Sequence, residues 1–302
     1  MTFRPLLSSF GALLAVSGLV LAGCSATSDN DHSSMDDTDG STGSATSATS
    51  TAEVLALASW GDNVTISFSG DTLNFQSDGI PNHDRQGEYA VPNGGVQVPD
   101  ETTASAVADP TTAQNYDFTI TTTPVLAEEV TAASLGTIGV MISGAALFNP
   151  YEGDGSTVAT ASNFTVLNDS GDEVAFLDSC SGHPTPMGTY HYHALPKCVT
   201  ATVDEEGGPS HLIGVAFDGF PIYGDRDIDG NQVTADQLDE CNGIFSATPE
   251  FPDGFYHYVL LDTADETSSI KCFSGVVDES LTSAMSVMPG MGPNQSMNGP
   301  KP

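Results

Sequence analysis

Gly188-Thr189-Tyr190-His191-Tyr192-His193 alternates aromatic and imidazole side chains just ahead of Ala194-Leu195-Pro196. Successive side chains of a strand point to opposite faces. A strand here therefore puts His191 and His193 on one side and Tyr190 and Tyr192 on the other. The tyrosines suit a packed interior and the histidines suit a polar site. Outward from it, short β-branched or aromatic runs recur at 64–68, 116–120, 137–143, 164–167, 174–177, 190–193, 212–217 and 256–261, divided by Gly, Pro, Asn and Asp turns. Helix signals are poor: 234–240 reads as a short helical turn and 102–107 as a weaker one. The expectation is a mainly β chain, with a single sandwich- or barrel-like domain over 53–280.

The stretch has an echo. Leu177-Asp178-Ser179-Cys180-Ser181-Gly182 returns as Leu238-Asp239-Glu240-Cys241-Asn242-Gly243, and the Tyr-His-Tyr-His run returns as Gly254-Phe255-Tyr256-His257-Tyr258-Val259. Each copy runs on to a second cysteine, Cys198 or Cys272. Three pairings of these cysteines exist on paper. A repeat that opens and closes with Cys most simply staples itself, giving Cys180–Cys198 and Cys241–Cys272, two disulfide-closed internal repeats. No Cys-x-x-Cys pair is present, which argues against a redox dithiol or a thiolate zinc site.

The amino end indicates the compartment. Arg4 precedes an apolar stretch over 6–21, which ends in Leu21-Ala22-Gly23-Cys24. Residues 1–23 read as a lipoprotein signal peptide, with Cys24 acylated as the mature N-terminus. Ordinary signal cleavage with an incidental Cys24 is the plainer alternative. Residues 24–52 are Ser-, Thr- and Asp-rich and read as a flexible tether. The expected location is extracytoplasmic, in a bacterial cell envelope, with the membrane engaged through the lipid. An oxidising compartment agrees with paired cysteines. The 40 acidic against 6 basic residues give a formal charge of −34, which excludes a protein that tracks a nucleic-acid backbone.

Four constellations could carry chemistry. His191 and His193 can converge on one ion, and His183 in Gly182-His183-Pro184 or His211 at the head of 212–217 could complete the set. Copper or zinc is the expected metal. Two histidines on a solvated strand face would read the same way. Asp225, Asp227, Asp229, Asn231 and Asp236, with Gly230 at the sixth position, follow the spacing of a calcium loop. The last position is Asp rather than Glu, no helix precedes it, and an acidic surface turn is the alternative. Met285, Met288, Met291 and Met297 crowd the tail over 281–302, which reads as disordered; thioethers suit Cu(I), although flexible tails also acquire Met by drift. Asp218, in Phe217-Asp218-Gly219, could act as a catalytic base or simply make a turn. Gly-x-Ser-x-Gly, His-Glu-x-x-His, P-loop and dinucleotide fingerprints are all missing.

Taken with Gly79-Ile80-Pro81-Asn82-His83, His211-Leu212-Ile213-Gly214 and Asp218-Gly219-Phe220-Pro221-Ile222-Tyr223-Gly224, these motifs resemble the YHYH domain family over roughly residues 60–275. The resemblance draws His83, His183, His191, His193 and His211 into one frame and implies a shared site, without naming a metal or a reaction. One departure is Ile142-Ser143-Gly144, where an Asn-Gly-Val turn is expected. Three readings follow: a lipid-anchored metal-binding protein, a metal-dependent hydrolase with Asp218 as base, or a calcium-stiffened surface-interaction module. An open coordination position beside a carboxylate favours the second and a closed site the first.

Overall fold

The computed structural model describes residues 49–284. Its strands are β1 (Val64–Ser69), β2 (Thr72–Ser77), β3 (Glu88–Pro92), β4 (Ala104–Ala108), β5 (Tyr116–Thr121), β6 (Leu126–Ala132), β7 (Thr137–Met141), β8 (Ala146–Phe148) and β9 (Thr165–Leu167). They continue as β10 (Glu173–Ala175), β11 (Gly182–Pro184), β12 (Tyr190–Tyr192), β13 (Leu212–Ala216), β14 (Pro221–Tyr223), β15 (Gly243–Ser246), β16 (Phe255–Val259) and β17 (Cys272–Gly275). Short helices are α1 (Thr51–Leu57), α2 (Lys197–Thr200) and α3 (Glu279–Ala284). The mainly β expectation holds. The sheets are open and layered among the described residues, with no closed barrel.

An 8-stranded sheet in the order β11-β12-β8-β7-β13-β14-β16-β15 forms the centre. That order is a palindrome of two equivalent halves. In each, an antiparallel hairpin (β7–β8 or β13–β14) is followed by a strand that pairs parallel with its second arm (β12 or β16). An antiparallel edge strand (β11 or β15) completes the half. The halves meet through β7 and β13, where Val140 faces Val215, Gly139 faces Ala216 and Met141 faces Gly214. A pseudo-twofold axis therefore passes between Val140 and Val215. The sequence agrees once the strands are superposed: Ile138-Gly139-Val140 and Ser143-Gly144 match Ile213-Gly214-Val215 and Asp218-Gly219. The central glycines have one reason in both halves. A Cβ on Gly139 would lie 2.8 Å from the Val215 carbonyl, and one on Gly214 would lie 2.6 Å from the Val140 carbonyl. The echo is thus the visible part of a longer duplication.

Each half is locked by one aspartate. Asp178 accepts the Cys180 and Gly182 amides and the Tyr89 and Tyr190 hydroxyls. Asp239 accepts the Cys241 and Gly243 amides and the Tyr256 hydroxyl. Both expected disulfides form, Cys180–Cys198 and Cys241–Cys272. The three-stranded sheet β1-β2-β5 shares a core with the central sheet. Leu73, Phe75 and Ile120 belong to the same apolar cluster as Val140, Val215 and Ile222. Phe118 meets Phe217 across the layers at 4.9 Å between ring centroids.

Several local expectations need correction. Residues 102–107 make no helix: β4 pairs with β3, since its Ala and Val side chains fit a half-covered ribbon. The 234–240 signal is a single 3-10 turn, Ala235–Gln237, headed by Thr234. The folded part begins before residue 53, because Ser50 and Glu53 form a reciprocal cap that starts α1 at Thr51. Residues 281–284, expected to open the tail, instead continue α3, where Leu281 is buried. Cys24, residues 1–48 and Met285, Met288, Met291 and Met297 lie outside the described residues. Among those described, no helix is long and apolar enough to cross a membrane.

Candidate metal centre

Three imidazoles converge because of strand register. His183 on β11 is directly opposite His191 on β12, so both side chains leave the same face. His193, two residues on, joins them. One ring nitrogen from each lies within 4.8 Å of the other two. All three residues are at most 6% exposed. Phe148 stacks on His191 at 3.9 Å between centroids and Phe176 packs against His183 at 4.2 Å, which walls the site with apolar surface.

The hydrogen bonds fix the protons. His193 Nδ1 lies 2.7 Å from the Asn149 carbonyl, and His191 Nδ1 lies 3.2 Å from the Thr189 carbonyl. A carbonyl can only accept, so each Nδ1 carries the hydrogen and each Nε2 presents a lone pair. Those two Nε2 atoms are 2.9 Å apart. Two lone pairs at hydrogen-bond distance repel unless a cation lies between them. A proton is a poor choice of cation. Burial, then neighbouring His193, holds His183 well below its ordinary pKa; burial, then the other two rings, does so for His191; burial brings His193 down to about 4. Neither ring nitrogen of His183 has a hydrogen-bond partner, although the side chain is buried. Such an orphan costs about 1–3 kcal/mol unless something satisfies it. Three neutral imidazoles, two of them oriented by a carbonyl on Nδ1 and the third with both ring nitrogens free, are a donor set that suits a transition-metal ion.

The frame is held from behind. The Ser268 hydroxyl donates to the His193 carbonyl at 2.9 Å, and the Ser269 hydroxyl donates to the Phe148 carbonyl at 2.7 Å. Sequence reading missed Asn149, Thr189, Ser268 and Ser269. They act through main-chain atoms, or on them, and leave no pattern of residue types.

Other expected site residues are elsewhere. His83 does not join the three rings. Its Nε2 meets the Tyr192 hydroxyl at 2.6 Å and its ring packs edge-on against Tyr190, so it sits on the tyrosine face of β12. His211 is paired with Asp204 at 3.4 Å and lines a different cavity with Val54 and Glu250. Asp218 is a fully buried bracing group, accepting from the Tyr258 hydroxyl at 2.5 Å and the Gly275 amide at 2.9 Å. Burial raises its carboxyl to about 6, but the interactions tie it to β16 and β17 rather than to the rings. The 225–236 loop does not gather its carboxylates around a point. Asp227 spends both oxygens on Asp229 and Asn231 within the turn, and Asp236 accepts from Thr234. The groups that draw together closely enough for an ion, among the described residues, contain none of these aspartates.

The second half supplies an internal comparison. Register places Ile244, His257 and Val259 where the first half has His183, His191 and His193. His257 keeps its Nδ1 contact to a carbonyl two residues back, Phe255 at 2.9 Å, as His191 does to Thr189. Ile244 and Val259 have joined a small apolar cluster with Val233 and Leu261. One half of the duplication carries three donors and the other carries one.

Residues 117–236 and 226–275 match the family model described as YHYH protein. No curated protein and no solved structure matches the chain.

Proposed function

We propose that this chain, which belongs to the YHYH family, is a lipid-anchored extracytoplasmic protein that binds a copper or zinc ion through His183, His191 and His193. The observation that carries the reading is the 2.9 Å approach of two Nε2 atoms whose Nδ1 partners are both carbonyls. The ion would contribute the positive charge that this arrangement of lone pairs calls for. The protein supplies neutral donors, fixed tautomers and a dry apolar wall. A buried, histidine-only set favours retention of an ion over hydrolysis, which needs an open position and a nearby base. Leu21-Ala22-Gly23-Cys24 supports anchorage by acyl chains, and the paired cysteines support an oxidising location. Elemental analysis of protein purified without affinity metals, before and after a strong chelator, tests the reading. About one copper or zinc per chain is expected, lost on chelation and absent from a His191→Ala/His193→Ala form. A metal-free wild type that takes up neither ion on addition would overturn it.

A further inference from the structure

The reverse face of β12 holds a second cluster. His83 Nε2 lies 3.4 Å from Cys180 Sγ, and the ligand atoms of His83, Cys180 and Cys198 are all within 4.8 Å of one another. The two disulfides differ in surroundings. Cys180 is buried but Cys198 is partly exposed, whereas both Cys241 and Cys272 are buried. Among the described residues, no histidine or carboxylate completes a comparable group around Cys241–Cys272. In the equivalent half the Tyr258 hydroxyl faces Asp218, whereas the Tyr192 hydroxyl faces His83 and, at 3.0 Å, Ser143.

We propose that Cys180–Cys198 is a reducible disulfide whose opening creates a two-thiolate, one-imidazole site for a thiophilic ion, zinc or Cu(I), with His83 as the nitrogen ligand. The reductant is a dithiol. One of its sulfurs attacks Sγ of Cys198, the less buried of the two residues, and the electron pair of the broken S–S bond passes to Cys180 Sγ. The reductant's second sulfur then displaces Cys198 and closes the reductant's own disulfide. Both of its protons end on the two cysteines. Ion binding displaces those protons and leaves two thiolates beside His83 Nε2. Soft sulfur donors of this kind select zinc or Cu(I). His83 Nδ1 lies 2.9 Å from the Asp84 carbonyl, which keeps the hydrogen on Nδ1 and the lone pair on Nε2. The Tyr192 hydroxyl retains Ser143 as a partner when His83 turns to an ion. The site is separate from the three histidines and stands whether or not they hold a metal.

The test uses purified protein treated anaerobically with a limited amount of dithiol, which is removed before Co(II) is added. Two thiols per chain should appear first, mapping to Cys180 and Cys198 by alkylation, with circular dichroism unchanged. Co(II) should then give sulfur-to-metal charge-transfer absorption, which an all-histidine site cannot produce. His83→Ala, which keeps the disulfide, should weaken Co(II) binding about tenfold or more. Alkylation that finds all four cysteines opening together would overturn the proposal. So would two free thiols that give no charge-transfer band with Co(II), or a band and affinity that His83→Ala leaves unchanged.

Discussion

Replacing Asp178 by Ala should cost this protein more than the same change at its pseudo-symmetric equivalent. Asp178 Oδ2 accepts both the Tyr89 and the Tyr190 hydroxyl at 2.7 Å, and Oδ1 accepts the Cys180 amide at 2.8 Å and the Gly182 amide at 3.2 Å. Tyr89 and Tyr190 are fully buried, so their hydroxyls find no water when the carboxylate goes. Hydrogen bonds to a charged group contribute about 1.5–3 kcal/mol each, and an unpaired buried hydroxyl costs about as much as the bond it lost. The two tyrosine bonds together put the loss at about 3–5 kcal/mol, since such losses do not simply add. Asp239→Ala removes one tyrosine bond, and Tyr256 keeps the Ser274 hydroxyl at 2.7 Å, so about 1–2 kcal/mol is expected there. Urea unfolding of both variants at one pH, with unchanged m-values, gives the comparison directly. The bonds also fix the hairpin that sets His183 against His191, so metal affinity should fall in Asp178→Ala. Equal destabilisation by the two substitutions, or a loss under about 1 kcal/mol for Asp178→Ala, would refute the reasoning.

Three further outcomes follow from other parts of the molecule. Glu152 is 6% exposed, and burial, with a smaller contribution from Asp154, raises its carboxyl to about 8. A raised carboxyl pKa favours folding below the unfolded value of about 4.5, and that stabilisation is lost as pH climbs to about 8. At about 1.4 kcal/mol per unit of displacement, Glu152→Gln should gain a few kcal/mol on wild type between those limits; parallel stability profiles would contradict this. Ile244→His with Val259→His should build a second three-histidine set around His257 and raise zinc uptake by one equivalent, while an unchanged stoichiometry would show that the halves match in backbone only. Cys24→Ser should move the processed protein from the membrane fraction to the soluble one, and its pelleting after a high-salt wash would require another anchor.

The sequence carried β1, β5, β7, β9, β12, β13 and β16, and it carried the disulfides through the echo of Cys-containing motifs. β8 and β11 went unseen because three residues are too few to display an alternation, and β2 went unseen although its buried Leu73 and Phe75 alternate with polar residues. β6 went unseen because Glu128 and Glu129 face solvent on an exposed ribbon and read as loop. The duplication was half legible. Its hairpins share Ile-Gly-Val and one turn glycine, and those residues are kept for backbone approach rather than for side-chain chemistry. The three central histidines were found because strand period and register act on neighbours in sequence. His83 was drawn in by motif order and His211 by its place at the head of a strand, and neither says which face a side chain takes. His83 reaches the same strand from its tyrosine side, and His211 opens β13 beside Asp204. The spacing of the aspartate loop matched a calcium site, but Asp227 satisfies its own turn amides instead.

The central claim is that three neutral imidazoles on one face of the β11–β12 pair hold an ion. X-ray absorption at the metal edge of the purified, oxidised protein tests it most directly. The account predicts a copper or zinc spectrum with imidazole multiple scattering from three rings, nitrogen neighbours at about 2.0–2.1 Å in the zinc form, and no sulfur neighbour. A first shell made of oxygen alone, or one containing sulfur, would contradict it.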